Sequence, residues 1–263
     1  MKDDSRKNNY KRKIRIIATL VLLAGAVWYV VWFFTPSPNE LSVRESTRII
    51  NIIDKHDLKS LNSELDHGLN PNAILCNRTT CSLIRNGSSS SDILEPLISY
   101  ACSEGTSEMV KTLVDRGAKV NNPYGDNAPL LCAADSLNFS MIKTLLEHGA
   151  KVNQKDSMEE TALMLIAEDS DTGSRAVNRT NICKLLLKYG ATVNDVNFQG
   201  ETALSRFVES SIHDSNFEII KLLIKSKANP NIKDIDGNNL IQEAIFGNNS
   251  KIAAYLRKVY NRK

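Results

Sequence analysis

Two cysteines with four residues between them, Cys76 and Cys81, frame Cys-Asn-Arg-Thr-Thr-Cys, and three more stand singly at Cys102, Cys132 and Cys183. A close pair has two chemistries open to it: a local disulfide in an oxidising compartment, or half of a zinc site. Zinc needs two further ligands at suitable spacing, and none is evident in the sequence. The expected chemistry is therefore a Cys76–Cys81 disulfide. Closing so short a loop contributes about 2 kcal/mol on the chain-entropy estimate, and does more for the shape of the loop than for global stability. Cys102 and Cys132 fall at or beside alanine positions of successive apolar segments, where each serves as a small core residue. A disulfide between them is the alternative. Cys183 sits on an apolar stripe and is expected to be a buried thiol.

The other chemistry-bearing residues do not assemble into a catalytic set. Of the four histidines, His56, His67, His148 and His213, two precede a glycine in the same context, where an imidazole can meet the free carbonyls of a helix end. No Gly-x-Ser-x-Gly, His-Glu-x-x-His, phosphate loop or dinucleotide fingerprint occurs. Asp234-Ile235-Asp236-Gly237-Asn238 begins like a calcium loop, but the distal bidentate glutamate is out of register. No catalytic, cofactor or metal residue is assigned. Asn77-Arg78-Thr79 and Asn178-Arg179-Thr180 are glycan acceptor triplets, with meaning only in a eukaryotic secretory pathway.

The elements that position these residues are repeats. Four segments close on one phrase: Arg116-Gly117-Ala118-Lys119-Val120-Asn121, His148-Gly149-Ala150-Lys151-Val152-Asn153, Tyr189-Gly190-Ala191-Thr192-Val193-Asn194 and Lys227-Ala228-Asn229-Pro230-Asn231. A degenerate copy, His67-Gly68-Leu69-Asn70-Pro71-Asn72, precedes them. Ahead of each lies an apolar stripe of helical period, such as Met109, Val110, Leu113 and Val114, or Met141, Ile142, Leu145 and Leu146. The glycine that follows suits a left-handed helix cap. A shorter helix comes earlier in each unit, opening on Thr161-Ala162-Leu163, on Thr202-Ala203-Leu204 or on Ala128-Pro129-Leu130, with threonine as N-cap and small alanines at a close helix approach. Polar turns such as Asn197-Phe198-Gln199-Gly200-Glu201 separate the units.

Turn, helix, helix, then Gly-Ala-x-x-Asn resembles the ankyrin repeat. The family's Thr-Pro-Leu-His-x-Ala signature is matched in part: Ala-Pro-Leu and Ala-Ala are kept between Asn127 and Asn153, the histidine is lost, and Glu95-Pro96-Leu97 has one extra residue before Ala101. The resemblance covers residues 46–260 and implies an all-α repeat solenoid of five to six units, in which each unit buries its apolar face on the next. The last unit, Asp236 to Tyr260, has Ile252, Ala253 and Leu256 on one side and charges on the other, as suits a capping unit. Spacings between the closing phrases are 49, 32, 41 and 37 residues. The excess is expected in loops: a finger insertion at 73–91, and two shorter insertions near 169–180 and 209–215 between paired helices.

Ile16 to Phe34 holds 19 residues without a charge, enough for a helix of roughly 28 Å and so for a membrane span. Seven basic and two acidic side chains lie in residues 1–34, against 26 and 28 in the rest. The basic flank, residues 1–15, predicts a cytoplasmic N-terminus, with everything after a 35–45 tether on the exported side. Cleavage as a signal peptide after Ala24-Gly25-Ala26 is the competing reading, though eight apolar residues would follow the cut. Short chain and minimal basic tail favour a bacterial inner-membrane protein with its repeats in the periplasm. The mildly acidic exported part has no electrostatic footprint for nucleic acid.

In ankyrin proteins the fingertips and inner helices line a partner-binding groove, so the resemblance implies a protein partner and a chain that is monomeric when free. The residue before each finger turn is Tyr124, Ser157, Phe198 and Ile235. Three are large and apolar, and either anchor a partner or pack on their own hairpin. Tyr100 and Arg206 on inner helices extend the same patch. The layout is also similar to that of anchored or exported ankyrin immunity proteins that neutralise toxins such as phospholipase effectors. A scaffold or protectant of an envelope enzyme is the second reading.

Overall fold

The computed structural model describes residues 39–76, 94–121, 127–167, 174–211, 216–233, 237 and 239–260. Two units are separable along the chain, Met1–Glu40 and Leu41–Lys263, and all the described helices lie in the second. No helix among the described residues is long and apolar enough to cross a membrane, and the 16–34 segment lies outside them.

Helices come in pairs: α1 (Val43–Asp54) with α2 (Leu58–Asp66), α3 (Leu97–Ser103) with α4 (Ser107–Asp115), α5 (Pro129–Asp135) with α6 (Phe139–Glu147), α7 (Ala162–Leu165) with α8 (Ser174–Lys188), α9 (Ala203–Glu209) with α10 (Phe217–Lys225), and α11 (Leu240–Phe246) with α12 (Ser250–Tyr260). From the second pair on, each first helix packs on the first helix of the next unit, and each second helix on the next second helix. One continuous core results. The stripes read from the sequence form its wall: Met109, Val110, Leu113, Ile142, Leu145, Ile182, Leu186, Ile220 and Leu223 are all fully buried. Each such side chain contributes about 1.5–3 kcal/mol through its removal from water.

The helix ends follow the phrase as expected. Gly68, Gly117, Gly149 and Gly190 have φ of 100°, 91°, 84° and 88°, the left-handed region that only glycine enters without penalty. His67 and His148 stand at the cap positions, each with Nδ1 at 2.6 and 2.8 Å from the carbonyl four residues back. The asparagine of each phrase does more than end it. Asn72, Asn153 and Asn194 each donate from Nδ2 to the cap carbonyl of the next unit (Gly117, Gly190 and Lys227, 3.1–3.2 Å) and accept from the N–H two residues beyond that cap. This ladder is indifferent to what intervenes, which is why units of unequal length stack evenly.

The insertions fall less simply. β1 (Ile74–Cys76) pairs antiparallel with β2 (Leu94–Pro96), Leu75 opposite Glu95. Ala73 and Leu75, at the start of the expected 73–91 insertion, are buried, and its stretch from 77 on lies outside the described residues. The expectation of a loop near 169–180 is corrected in part: α8 runs for 15 residues where α4, α6 and α10 have 9. Extra residues wind into a longer second helix, held by buried Arg179 and by Asn178, whose amide donates to the Leu137 carbonyl at 2.6 Å. Asn178 is therefore engaged in packing and ill placed to accept a glycan. The 35–45 tether is likewise shorter than expected, since α1 starts at Val43 behind a Ser42–Glu45 capping box. Thr202 caps α9 through Ser205, whereas Thr161 occupies the N-cap of α7 without a side-chain bond.

The last unit buries Ile252, Ala253 and Leu256 as expected. Its first helix does not behave as a cap, for Ile245 and Phe246 remain 49% and 79% exposed.

Candidate interaction surface

Five first helices, α3, α5, α7, α9 and α11, lie in a row, and the fourth residue after each N-cap makes a column across them: Tyr100, Cys132, Leu165, Arg206 and Glu243. All five are half-buried. A helical turn further on, at the C-terminal ends of α3, α5 and α9, come the exposed acids Glu104, Asp135 and Glu209.

Tyr100 donates its hydroxyl proton to Asp54 Oδ1 at 2.7 Å. Burial, the bond to Asp54 and its charge all push the phenol above its ordinary range. Glu95 lies beside it on β2 with its carboxyl raised to about 7, chiefly by burial and then by the Glu104 charge. Cys132 completes this corner, its thiol pushed up to about 11 by burial.

Arg206 occupies the column but does not offer its charge outward. Its guanidinium is ion-paired with Glu160, and the two side chains are only 14% and 11% exposed. Asn197 donates to the Glu160 and Glu201 carboxylates from the next finger. Burial lowers the Arg206 pKa against the opposing pull of Glu209 and Asp156. Arg206, expected to contact a partner, reaches the column, where the internal ion pair with Glu160 holds its guanidinium.

The fingers repeat one turn. Asp156 Oδ1 accepts from the N–H of Met158 and Glu160, and Asn197 Oδ1 accepts from Gln199 and Glu201 in the same places. Two successive fingers are joined where the Phe198 N–H donates to the Met158 carbonyl at 3.2 Å. Phe198 is 66% exposed and Met158 48%. Phe198 therefore does not pack away on its own hairpin. Met158 was not singled out in the sequence, because it lies one place past the position counted and its repeat shows Ser157 there. Tyr124, Ile235 and Cys81 lie outside the described residues, so neither the fingertip row nor the Cys76–Cys81 bond is visible as a whole.

The remaining cysteines, Cys102, Cys132 and Cys183, are free thiols, and the Cys102–Cys132 disulfide is not formed. Burial holds Cys102 well above the ordinary thiol range and Cys183 at about 12, so neither is a ready nucleophile. Among the described residues no group of three His, Cys, Asp or Glu side chains is arranged to hold a metal.

The family described as Ankyrin repeats (3 copies) matches residues 72–156, 154–234 and 174–262. The chain belongs to the ankyrin-repeat family, whose stacked units form a protein–protein interaction module. Comparison with the curated proteins gives no match.

Proposed function

We propose that this chain is a non-catalytic binding protein that captures a protein partner on its inner-helix and finger face. The observation that carries the reading is Phe198, two-thirds exposed beside half-exposed Met158 on fingers locked to one another by a backbone hydrogen bond. Large apolar side chains held in place at the surface cost little ordering entropy on binding, as interface anchors do. Residues 16–34 anchor the chain in a bacterial inner membrane and place the repeats in the periplasm; their uncharged run and basic flank support this. In that setting the partner is a toxin of phospholipase type and the chain its immunity protein, with a scaffold for an envelope enzyme as the alternative.

The test is to express the neighbouring gene product in the periplasm with and without this chain. Rescue from toxicity by the wild type, lost with Phe198→Ala plus Met158→Ala at unchanged thermal stability, supports the immunity reading. A non-toxic neighbour that co-purifies with the chain supports the scaffold. Turnover by the purified full chain with no partner overturns both.

A further inference from the structure

From the second helix pair on, the charges of this solenoid are sorted by layer; α1, with Arg44 and Arg48 beside Glu45 and Asp54, and α2, with Lys59 beside Glu64 and Asp66, do not share the sorting. The second helices α4, α6, α8, α10 and α12 hold eleven basic and four acidic residues. The first helices from α3 to α11, with the Glu104 cap, hold four carboxylates and one guanidinium. That guanidinium, Arg206, is ion-paired with Glu160 and also feels the Glu209 charge. Glu104, Asp135 and Glu209 are exposed, and Glu243 is half-buried on the same face. These carboxylates surround the column residues: Glu104 and Asp54 act on Tyr100, Asp135 on Cys132, and Glu209 on Arg206. Exposed apolar groups punctuate the same face, Phe198 and Met158 at the fingers and Phe246 at the end of α11.

We infer that the inner-helix face takes a cationic polypeptide segment of a protein partner, with lysine or arginine side chains over Glu104, Asp135 and Glu209 and apolar side chains against Phe198 and Met158. The inference rests on the proposed role of this face as a partner site and specifies its chemistry. A field of one sign on a low-dielectric wall steers a segment of the other sign and rejects its own. The basic second-helix layer cannot serve such a segment.

The experiment is fluorescence anisotropy of the full chain with three labelled synthetic peptides, which alternate leucine with lysine, with serine or with glutamate. The lysine peptide is expected to bind best, and to weaken steeply between about 50 mM and about 500 mM salt. The triple variant Glu104→Gln, Asp135→Asn, Glu209→Gln should weaken it about tenfold and flatten its salt dependence, while its thermal melt is unchanged. Lys143→Gln plus Lys225→Gln on the second-helix layer should leave it as it was. Equal or better binding of the serine or glutamate peptide, sensitive to Phe198→Ala, overturns the cationic specification and leaves the partner face standing. Lysine-peptide binding that ignores the triple variant places it elsewhere and overturns the inference. No binding by any peptide overturns the inference and weakens the face itself. Stronger binding after deletion of residues 2–15 would make the chain's own basic tail the occupant, against the inference of a partner.

Discussion

Asn121 holds the next unit at both sides of its cap: its amide donates to the Gly149 carbonyl at 2.8 Å, and its carbonyl oxygen accepts from the Lys151 N–H at 2.8 Å. Four asparagines do this in series, across sequence separations of 45, 28, 37 and 33 residues between Nδ2 and its acceptor. Replacing Asn121 by alanine removes both bonds and leaves the cap carbonyl to water. The expected loss is about 1–2 kcal/mol in a urea titration, with Asn121→Asp losing roughly half as much because the acceptor survives. An unchanged midpoint in both variants would mean that apolar stacking alone sets the register.

The cap positions themselves predict a gain. Lys227 stands where the other four units have glycine, and its φ is 69°. A side chain in that region costs about 1 kcal/mol, so Lys227→Gly is expected to stabilise the fifth unit by up to about that amount. Gly149→Ala should lose a similar amount through backbone strain alone, since a Cβ there meets nothing within 4 Å. Differential scanning calorimetry on the two variants reads both signs at once.

This contrast marks how far the sequence could be read. Gly117, Gly149 and Gly190 announced their caps because few other requirements put glycine after an amphipathic stripe. The asparagine four residues later is equally regular, yet its role depends on a partner a whole unit away, which spacing alone does not reveal. The 174–180 part of the insertion near 169–180 is helix rather than loop, and Asn178 and Arg179 show no apolar pattern that would announce it; Asn178 is held by its bond to the Leu137 carbonyl of the preceding unit.

Glu95 predicts a pH dependence. Its carboxyl is raised to about 7 in the folded chain by burial, then by the Glu104 charge. A group that holds its proton more tightly when folded favours the native state most below the unfolded carboxyl range. That contribution falls as pH rises from about 4.5 to about 7, and is gone above. Partial exposure of Glu95 limits the effect to about 1–2 kcal/mol. Glu95→Gln should therefore be more stable than the wild type at pH 8 and indistinguishable from it at pH 4. Parallel stability curves for the two proteins between those values would remove Glu95 as their cause.

Arg206 and Phe198 make opposite predictions from what looked like one patch. Arg206 and Glu160 are almost out of water, and cutting the pair strands a carboxylate that is 8% exposed. Arg206→Ala is expected to cost about 3–5 kcal/mol, whereas Arg206→Leu combined with Glu160→Leu should recover most of it, because neither charge then remains alone. Phe198→Ala removes a side chain that is mostly in solvent and should leave the melting temperature within a degree or so of the wild type. Binding separates them further. Loss of partner affinity in Arg206→Ala should track the loss of folded protein, and in Phe198→Ala it should occur with the fold intact. An Arg206→Ala variant as stable as the wild type would mean that the pair with Glu160 does not hold the fold and that the guanidinium serves the partner surface.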